Sequence, residues 1–421
     1  GMDFAFGFTG DDYIDRALQN DWLICSDSVV SPASSNALED LQLRISLEPI
    51  RDLKIDLTAN RTRNRSREIQ YMFEGMPDTR SGNFSMSIIS IGSAFERPSA
   101  GDGYHSGTFE RFRRNLDVIR DRVESQFLGA QYPQGSTLAG KTFDPANGTI
   151  SKHSPDVMIP AFLAAYTGKS ARNSALDFFP SLFSMMPNWR ITYTGLTKIA
   201  WFKKNFRSVN LNHAYRSTYS VGSYNTFQSF MSYMGDIGFV EDVQSGNPIP
   251  SSRFDISMVS INEQFSPLIG MDATLKNGLT AKVEYKTSRI LNLSMSACQL
   301  VETASRDFVI GLGYKIVNFN LFSGRNVKDS KNRVSHDLAL RADISFRNQS
   351  ALCRDIQQGF AQATNGNKAL KISCSADYTL SRLLTLRLYY DRQQNTPLVS
   401  SSSYPVVSAD FGFSMKFSLT R

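Results

Sequence analysis

Apolar and polar side chains alternate along most of this chain with a period of two. The final stretch shows it best. Phe411, Phe413, Met415, Phe417 and Leu419 fall on one face of an extended strand, and Gly412, Ser414, Lys416, Ser418 and Thr420 on the other. Successive side chains of a strand point to opposite faces, so this segment predicts a strand with one greasy and one polar face. Leu41 to Leu47 alternates with Gln42 to Glu48, and after a turn at Pro49–Asp52 the pattern resumes from Leu53 to Asn60. Phe84, Met86 and Ile88 open another strand, and Val209 to Val221 makes a long aromatic one. Further strands are predicted near 188–196, 253–263, 267–276, 279–289, 307–317, 337–347, 370–379 and 383–392, giving about thirteen or fourteen in all. Tight turns fall at Pro49, Asn277 and Ser381. Long polar connections are expected at 61–83, 296–306, 348–368 and 393–406.

The polar faces are heavily charged. Arg44, Glu48, Lys54, Asp56, Lys282, Glu284, Lys286, Lys315, Arg341, Asp343, Lys371, Asp377, Arg387 and Lys416 all sit on the polar side of an alternating strand. A soluble sandwich buries one face and does not carry this density of charge on every strand, whereas a membrane barrel holds a wet lumen behind an apolar outer wall. On that reading these fourteen residues face the lumen. Phe411, Phe413, Met415, Phe417 and Leu419 face lipid on a closing strand. Tyr215, Tyr219, Tyr224, Tyr314, Tyr378, Tyr389 and Tyr390, with His213 among them, read as interfacial girdle residues. If Arg421 lies in the periplasm, counting strands backwards puts the Pro49, Asn277 and Ser381 turns in the periplasm and the long connections outside.

Residues 100–187 break the pattern. Phe109, Phe112, Leu116, Ile119, Val123 and Phe127 recur at helical spacing. Pro155–Tyr166 predicts a second helix and Ser174–Met185 a third. The insert is expected to be a periplasmic excursion. It is either a cap that buries its own apolar stripe, or a subdomain that docks a partner or gates a pore. The chain thus divides into an irregular segment at 1–40, strands at 41–99, the helical insert at 100–187 and strands at 188–421.

Composition narrows the choices. The chain has 421 residues, 41% of them hydrophobic, with 29 Phe and 16 Tyr. Its mean hydropathy of -0.27 suits a half-polar barrel as well as a soluble protein. No apolar run is long enough for a helical membrane span. The net charge of +7 is spread through strands and turns, which argues against a nucleic-acid site. Cys25, Cys298, Cys353 and Cys374 are isolated, and His105, His153, His213 and His336 have no ligand spacing, so no metal site is expected. Gly168-Lys169-Ser170 lacks the earlier glycine and strand of a phosphate loop. Gly311 and Gly313 lie within a strand, where they suggest close packing at a bend. No nucleophile–base motif appears, so neither catalysis nor a cofactor is expected. The opening Gly-Met reads as an added start, with the natural N-terminus and any targeting signal upstream.

Several ordered stretches are more specific. They are Leu47-Glu48-Pro49-Ile50-Arg51-Asp52-Leu53, Ile159 to Tyr166, Pro187-Asn188-Trp189-Arg190-Ile191-Thr192-Tyr193, Leu211-Asn212-His213-Ala214-Tyr215-Arg216-Ser217-Thr218-Tyr219, Glu263 to Gly270 and the last strand. Together they resemble the C-terminal part of the SprA/Sov family, the very large outer-membrane translocons of the type 9 secretion system, first tied to gliding motility. The resemblance implies an all-β, antiparallel transmembrane β-barrel segment that conducts folded cargo bearing C-terminal sorting domains across the bacterial outer membrane to the cell surface. It also implies a smaller outer-membrane shuttle barrel and a periplasmic plug protein as partners, and no catalytic residues. Two readings of other classes stand beside it. One is a self-contained outer-membrane or surface-binding protein whose insert holds a ligand, and the other is a soluble β-rich enzyme.

Overall fold

A computed structural model of the chain describes residues 13–23, 31–70, 78–317, 319, 337–380, 384–399 and 404–417. Cys25, His336, Leu419 and the turn at Ser381 lie outside them. The elements are helix α1 (Tyr13–Gln19) and strands β1 (Ala33–Ile50), β2 (Leu53–Ile69) and β3 (Thr79–Ser87), then helices α2 (Gly107–Ser125) and α3 (Pro155–Tyr166). Strand β4 (Asn188–Tyr193), helix α4 (Ala200–Asn205) and strand β5 (Phe206–Thr226) follow. Three short strands, β6 (Met231–Met234), β7 (Ile237–Glu241) and β8 (Pro248–Ser252), form a small sheet of their own. The chain ends through β9 (Phe254–Ile256), β10 (Met258–Leu275), β11 (Leu279–Ser294), β12 (Gln299–Ile316), β13 (Leu338–Asp355), β14 (Ala361–Thr379), β15 (Leu384–Pro397) and β16 (Val406–Phe417).

One 13-stranded antiparallel sheet dominates, in the order β1-β2-β3-β5-β10-β11-β12-β13-β14-β15-β16, with β4 beside β2 and β5 and β9 beside β5. Among the described residues β1 pairs only with β2 and β16 only with β15. β12 pairs with β11 and β13, and β15 with β14 and β16, without a register shift, whereas β1–β2, both pairings of β10 and β13–β14 carry one or more shifts. One end of the sheet carries the turns at 51–52 and 276–278 and the paired ends of β14 and β15 at Thr379 and Leu384, and we call it the turn end. Asp52 and Gly278 there adopt φ of 72° and 90°, the left-handed geometry such reversals need. The opposite end carries the turns at 295–298 and 356–360 and is called the cap end.

The strands are longer than alternation predicts. The expected connections at 61–83, 296–306 and 348–368 are largely strand, because β2 runs to Ile69, β12 starts at Gln299, β13 runs to Asp355 and β14 starts at Ala361, and β15 continues to Pro397 within 393–406. Alternation fails there because the would-be apolar positions hold Glu302, Arg306 and Arg354, whose partners lie in distant sequence. β1 likewise begins at Ala33, inside the segment expected to be irregular. The strands expected at 253–263 and 267–276 are mostly one strand, β10, whose pairing with β11 shifts between Phe265 and Ile269. Pro267 sits in that irregularity, a place where a residue without an N–H is tolerated.

β3 and β4 share a single position in the sheet. β3 pairs with residues 61–68 of β2, and β4 with residues 53–58 of the same strand; both then pair with β5. Residues 88–187 therefore leave the wall in mid-strand and return to it one step on. The break strands backbone donors on both neighbours, and two side chains at its lips replace the missing backbone. Asn60 N donates to Ser87 Oγ at 3.0 Å, Ser217 N donates to Asn188 Oδ1 at 2.8 Å, and Asn188 Nδ2 donates to Ser87 Oγ at 3.1 Å. Asn188→Leu leaves the buried Ser217 N–H unpaired, and a loss of about 1–3 kcal/mol is expected in denaturant unfolding.

The insert packs on the sheet itself. α2 buries Phe109, Phe112, Leu116, Ile119 and Val123, and α3 buries Val157 to Tyr166 apart from Leu163, in one core with Phe84, Met86, Tyr219, Val221, Ile261, Leu291, Leu293 and Leu300 of the strands. The cap thus buries its stripe against the wall and not only within itself. It covers the cap-end half of one face, away from the turns at Pro49 and Asn277. The segment at 174–185 is not a helix. Phe178 and Phe179 hold it down, with Tyr219 Oη donating to Phe178 O at 3.1 Å and Phe179 stacked 4.8 Å from Tyr224, and only Leu182–Ser184 makes a 3₁₀ turn. Pro180 between them removes a helical donor.

Two carboxylates fasten the insert. Glu96 accepts from Thr108 N at 2.9 Å, Thr108 Oγ1 at 2.6 Å and Ser106 Oγ at 2.5 Å at the start of α2. Burial opposes its charge, but the hydrogen bonds from Ser106 and Thr108 prevail and hold its pKa below the usual range. Asp156, in the first turn of α3, accepts from Ser252 N at 3.1 Å and so ties the helix to β8. Burial pushes the Asp156 carboxyl up to about 6 against these hydrogen bonds. The fold therefore binds a proton that the unfolded chain has released, and stability falls as pH rises from about 4 through about 6. Asp156→Asn is expected to abolish that slope and to stabilise the insert near neutral pH by on the order of 2–3 kcal/mol, read as the difference in thermal midpoint from the parent across that window.

Candidate functional site: a two-faced wall and the seat of its cap

Cross-strand register fixes which residues share a face. One row reads Asn210, Asp272, Lys282, Gly311, Asp343, Ser373, Asp391 and Asp410 across seven strand pairs. The next row on the other face reads Leu211, Met271, Val283, Ile310, Ile344, Ile372, Arg392 and Ala409. All fourteen charged residues singled out in the sequence lie on the first, polar face. Several are paired along it. Lys282 and Lys286 flank Glu284 at 3.0 and 2.9 Å, Lys54 lies 3.5 Å from Asp56, Arg387 lies 3.6 Å from Asp377 and Lys315 lies 2.7 Å from Asp337. Gly311 and Gly313 open this face. A Cβ on Gly311 would stand 2.6 Å from Asp343 Oδ1, and one on Gly313 2.6 Å from Thr280 Oγ1. Their small size makes a cleft of about 380 Å³ that Asp272, Lys282, Arg341 and Asp343 line.

The second face divides along the strands. Towards the cap end it lies under the insert. Towards the turn end it is apolar and largely bare from β11 to β16, over about nine residues on β12, the length that crosses a bilayer core, whereas Val209 of β5, Ala273 of β10 and Tyr378 of β14 are buried there. On β12 the sequence of that face is Leu300 and Glu302 under the cap, then Ala304 and Arg306, then Phe308, Ile310, Leu312, Tyr314 and Ile316. Ile344 and Phe346 on β13 are 46% exposed, and Phe411, Phe413, Met415 and Phe417 on β16 are 56–72% exposed. Those four share the bare face as the alternation predicts. Cys374 also lies there, in a shallow apolar trough of about 330 Å³ between Leu312, Tyr390 and Phe411.

Where the bare band meets the cap, a polar row intervenes: Thr287, Arg306, Asn348 and Lys368 follow directly on Tyr285, Phe308, Phe346 and Leu370. Tyr314, Tyr378 and Tyr390 lie on the bare face, while Tyr389 lies on the polar one. Tyr215, Tyr219 and Tyr224 are not girdle residues; each is at most 2% exposed beneath the insert. His213 is part-buried against β10, its Nδ1 2.6 Å from Leu268 O.

Beneath the insert sits a buried charged seat. Glu263, 2% exposed, accepts from Arg289 Nη2 at 2.6 Å, Ser90 Oγ at 2.7 Å and Tyr215 Oη at 2.8 Å. Arg289 also donates to Ser93 O at 2.6 Å, and its guanidinium lies over the Tyr166 ring. Arg354 donates to Glu302 at 3.1 and 3.2 Å and to Tyr104 O at 2.6 Å. Buried charge is costly unless paired and hydrogen-bonded, and here each partner set spans wall and insert. The seat also gathers most of the specific stretches quoted above. Trp189 and Phe265 pack 4.5 and 4.8 Å from Tyr215, whose hydroxyl donates to Glu263, and Tyr166 lies against Arg289, the partner of Glu263.

No family model and no curated protein matches this chain. The polar face and the bare band are legible as alternation, and the seat is not. Its signal is nonetheless present. Glu263 stands between Ile261 and Phe265, and Glu302 between Leu300 and Ala304, as charges on the apolar side of a strand. Such a residue marks a place where another part of the chain must cover the sheet.

Proposed function

We propose that this chain is a segment of an outer-membrane β-barrel wall, with its bare band towards lipid and its charged face lining a water-filled lumen. The observation that carries this is the segregation of faces: half-exposed aromatics and aliphatics from β12 to β16, over about nine residues on β12, backed by fourteen charges on the reverse of the sheet. A soluble protein rarely leaves an apolar patch of that extent uncovered. Among the described residues the outer edges of β1 and β16 have no partner strand, which fits strands of a larger barrel, since free edges invite pairing. With the ordered stretches that resemble the SprA/Sov family, the reading narrows to the C-terminal barrel segment of a type 9 secretion translocon. Folded cargo with C-terminal sorting domains passes through its lumen, and a shuttle barrel and a periplasmic plug serve as partners. The wall acts passively, because mixed, mutually paired charges wet the surface without holding a cargo of one sign.

A photo-crosslinking amino acid at Asp343 in actively secreting cells tests this. Capture of secreted protein from Asp343 but not from Ile344 is the expected result. Capture from neither, or equally from both, contradicts a conducting polar face. The self-contained surface-binding reading has one supporting feature, a cleft of about 460 Å³ between α2 and the 356–360 turn lined by Arg113, Arg114, Lys152 and His153.

A further inference from the structure

We infer that the lower rim of the insert is a membrane-surface anchor, seated in the phosphate-bearing headgroup layer of the bilayer that the bare band crosses. The inference rests on the membrane reading above and adds to it where the insert lies. Two segments form the rim, one leaving the mid-strand break and one returning to it. The outgoing segment crosses the sheet beside the polar row. Glu96 O accepts from Arg306 Nη2 at 3.2 Å, and the neighbouring Phe95 stacks 5.4 Å from Phe265 yet stays 55% exposed. The returning segment is tied down by Met186 N, which donates to Ser87 O at 3.1 Å. Just before that tie, Leu182 and Phe183 are 46% and 96% exposed, and Met186 itself is 40% exposed.

Folding has no use for a fully exposed phenylalanine at the edge of a core that buries so many others. Both segments are tied to the sheet at the mid-strand break and at Phe265, on the face that carries the bare band, so they leave apolar side chains exposed on the same side of the sheet. The row between band and cap supplies the matching charge, with Arg306 and the exposed Lys368 at the height where the apolar face ends. Apolar rings at the acyl boundary with cations one step above are the arrangement by which interfacial segments hold an anionic headgroup layer. The insert would then lie on the lipid side of the wall at one membrane surface, leaving the lumen clear.

The test uses the protein isolated from its membrane, with its four cysteines replaced by serine, and carrying Phe183→Cys or Ile344→Cys labelled with an environment-sensitive dye. It is reconstituted in vesicles of phosphatidylcholine and phosphatidylglycerol that contain lipid bearing a nitroxide near the headgroup or deep in the acyl chain. The expected result is blue-shifted emission at both sites, with the Phe183 probe quenched more by the shallow nitroxide and the Ile344 probe more by the deep one. A water-like, unquenched Phe183 probe beside a lipid-quenched Ile344 probe overturns the anchor and leaves the membrane reading standing. Unquenched probes at both sites overturn both.

Discussion

Arg289→Ala is expected to destabilise the protein by about 3–5 kcal/mol, the cost of leaving one member of a buried ion pair without its partner. Glu263 keeps its hydrogen bonds from Ser90 and Tyr215 but loses the only full charge in direct contact among the described residues. The loss falls on the insert first, because Arg289 also holds Ser93 on the outgoing segment. Urea unfolding in detergent gives the magnitude, and trypsin cleavage within 88–187 shows where the structure loosens. Glu263→Gln together with Arg289→Met removes both charges and is expected to recover most of the loss, since no charge remains buried. If Arg289→Ala alone costs less than about 1 kcal/mol, the pair is solvated like an exposed bridge and does not seat the insert.

A second large effect is expected from one charge on the bare band. Ile344→Arg should cost about 2–4 kcal/mol in a bilayer, the value for arginine at mid-depth on the lipid side of a barrel. Ser373→Arg, on the adjacent strand but the polar face, lies between Asp343 and Asp391 and should change stability by less than about 0.5 kcal/mol. The contrast is diagnostic because Ile344 is already 46% exposed. In a water-soluble sheet, arginine there would be nearly harmless.

The parts legible in sequence are those where the environment repeats every two residues. β10 to β16 over the bare band and the faces of all fourteen charged residues followed from alternation alone. α2 followed from helical spacing, and α3 was expected over Pro155–Tyr166 as found. Where two parts of the chain meet, the local pattern misleads. Glu302, Arg306 and Arg354 looked like loop residues because Glu302 and Arg354 meet across 52 positions of sequence, and Arg306 and Arg354 reach into the insert. Tyr215, Tyr219 and Tyr224 looked interfacial because nothing local shows that α2, α3 and Phe179 cover them. The strand count met the same difficulty twice. β10 was counted as two strands at Pro267, and β3 and β4 as two positions where the sheet has one. Each miscount reverses direction, and the two cancel. That is why the turns at 51–52 and 276–278 do share one end although the path between them was misread. The split strand has no local signature beyond Ser87 and Asn188, whose side-chain hydrogen bonds matter only once the gap exists.

The central claim is that adjacent residues of one strand face water and lipid, and thiol accessibility reads it most directly. Lys416→Cys and Phe417→Cys, each in the protein with its four cysteines replaced by serine and embedded in membrane, are exposed to a bulky water-soluble maleimide, alongside Asp343→Cys and Ile344→Cys at mid-band. Labelling at positions 416 and 343 with protection at 417 and 344 is the predicted result. Equal labelling within each pair contradicts the account.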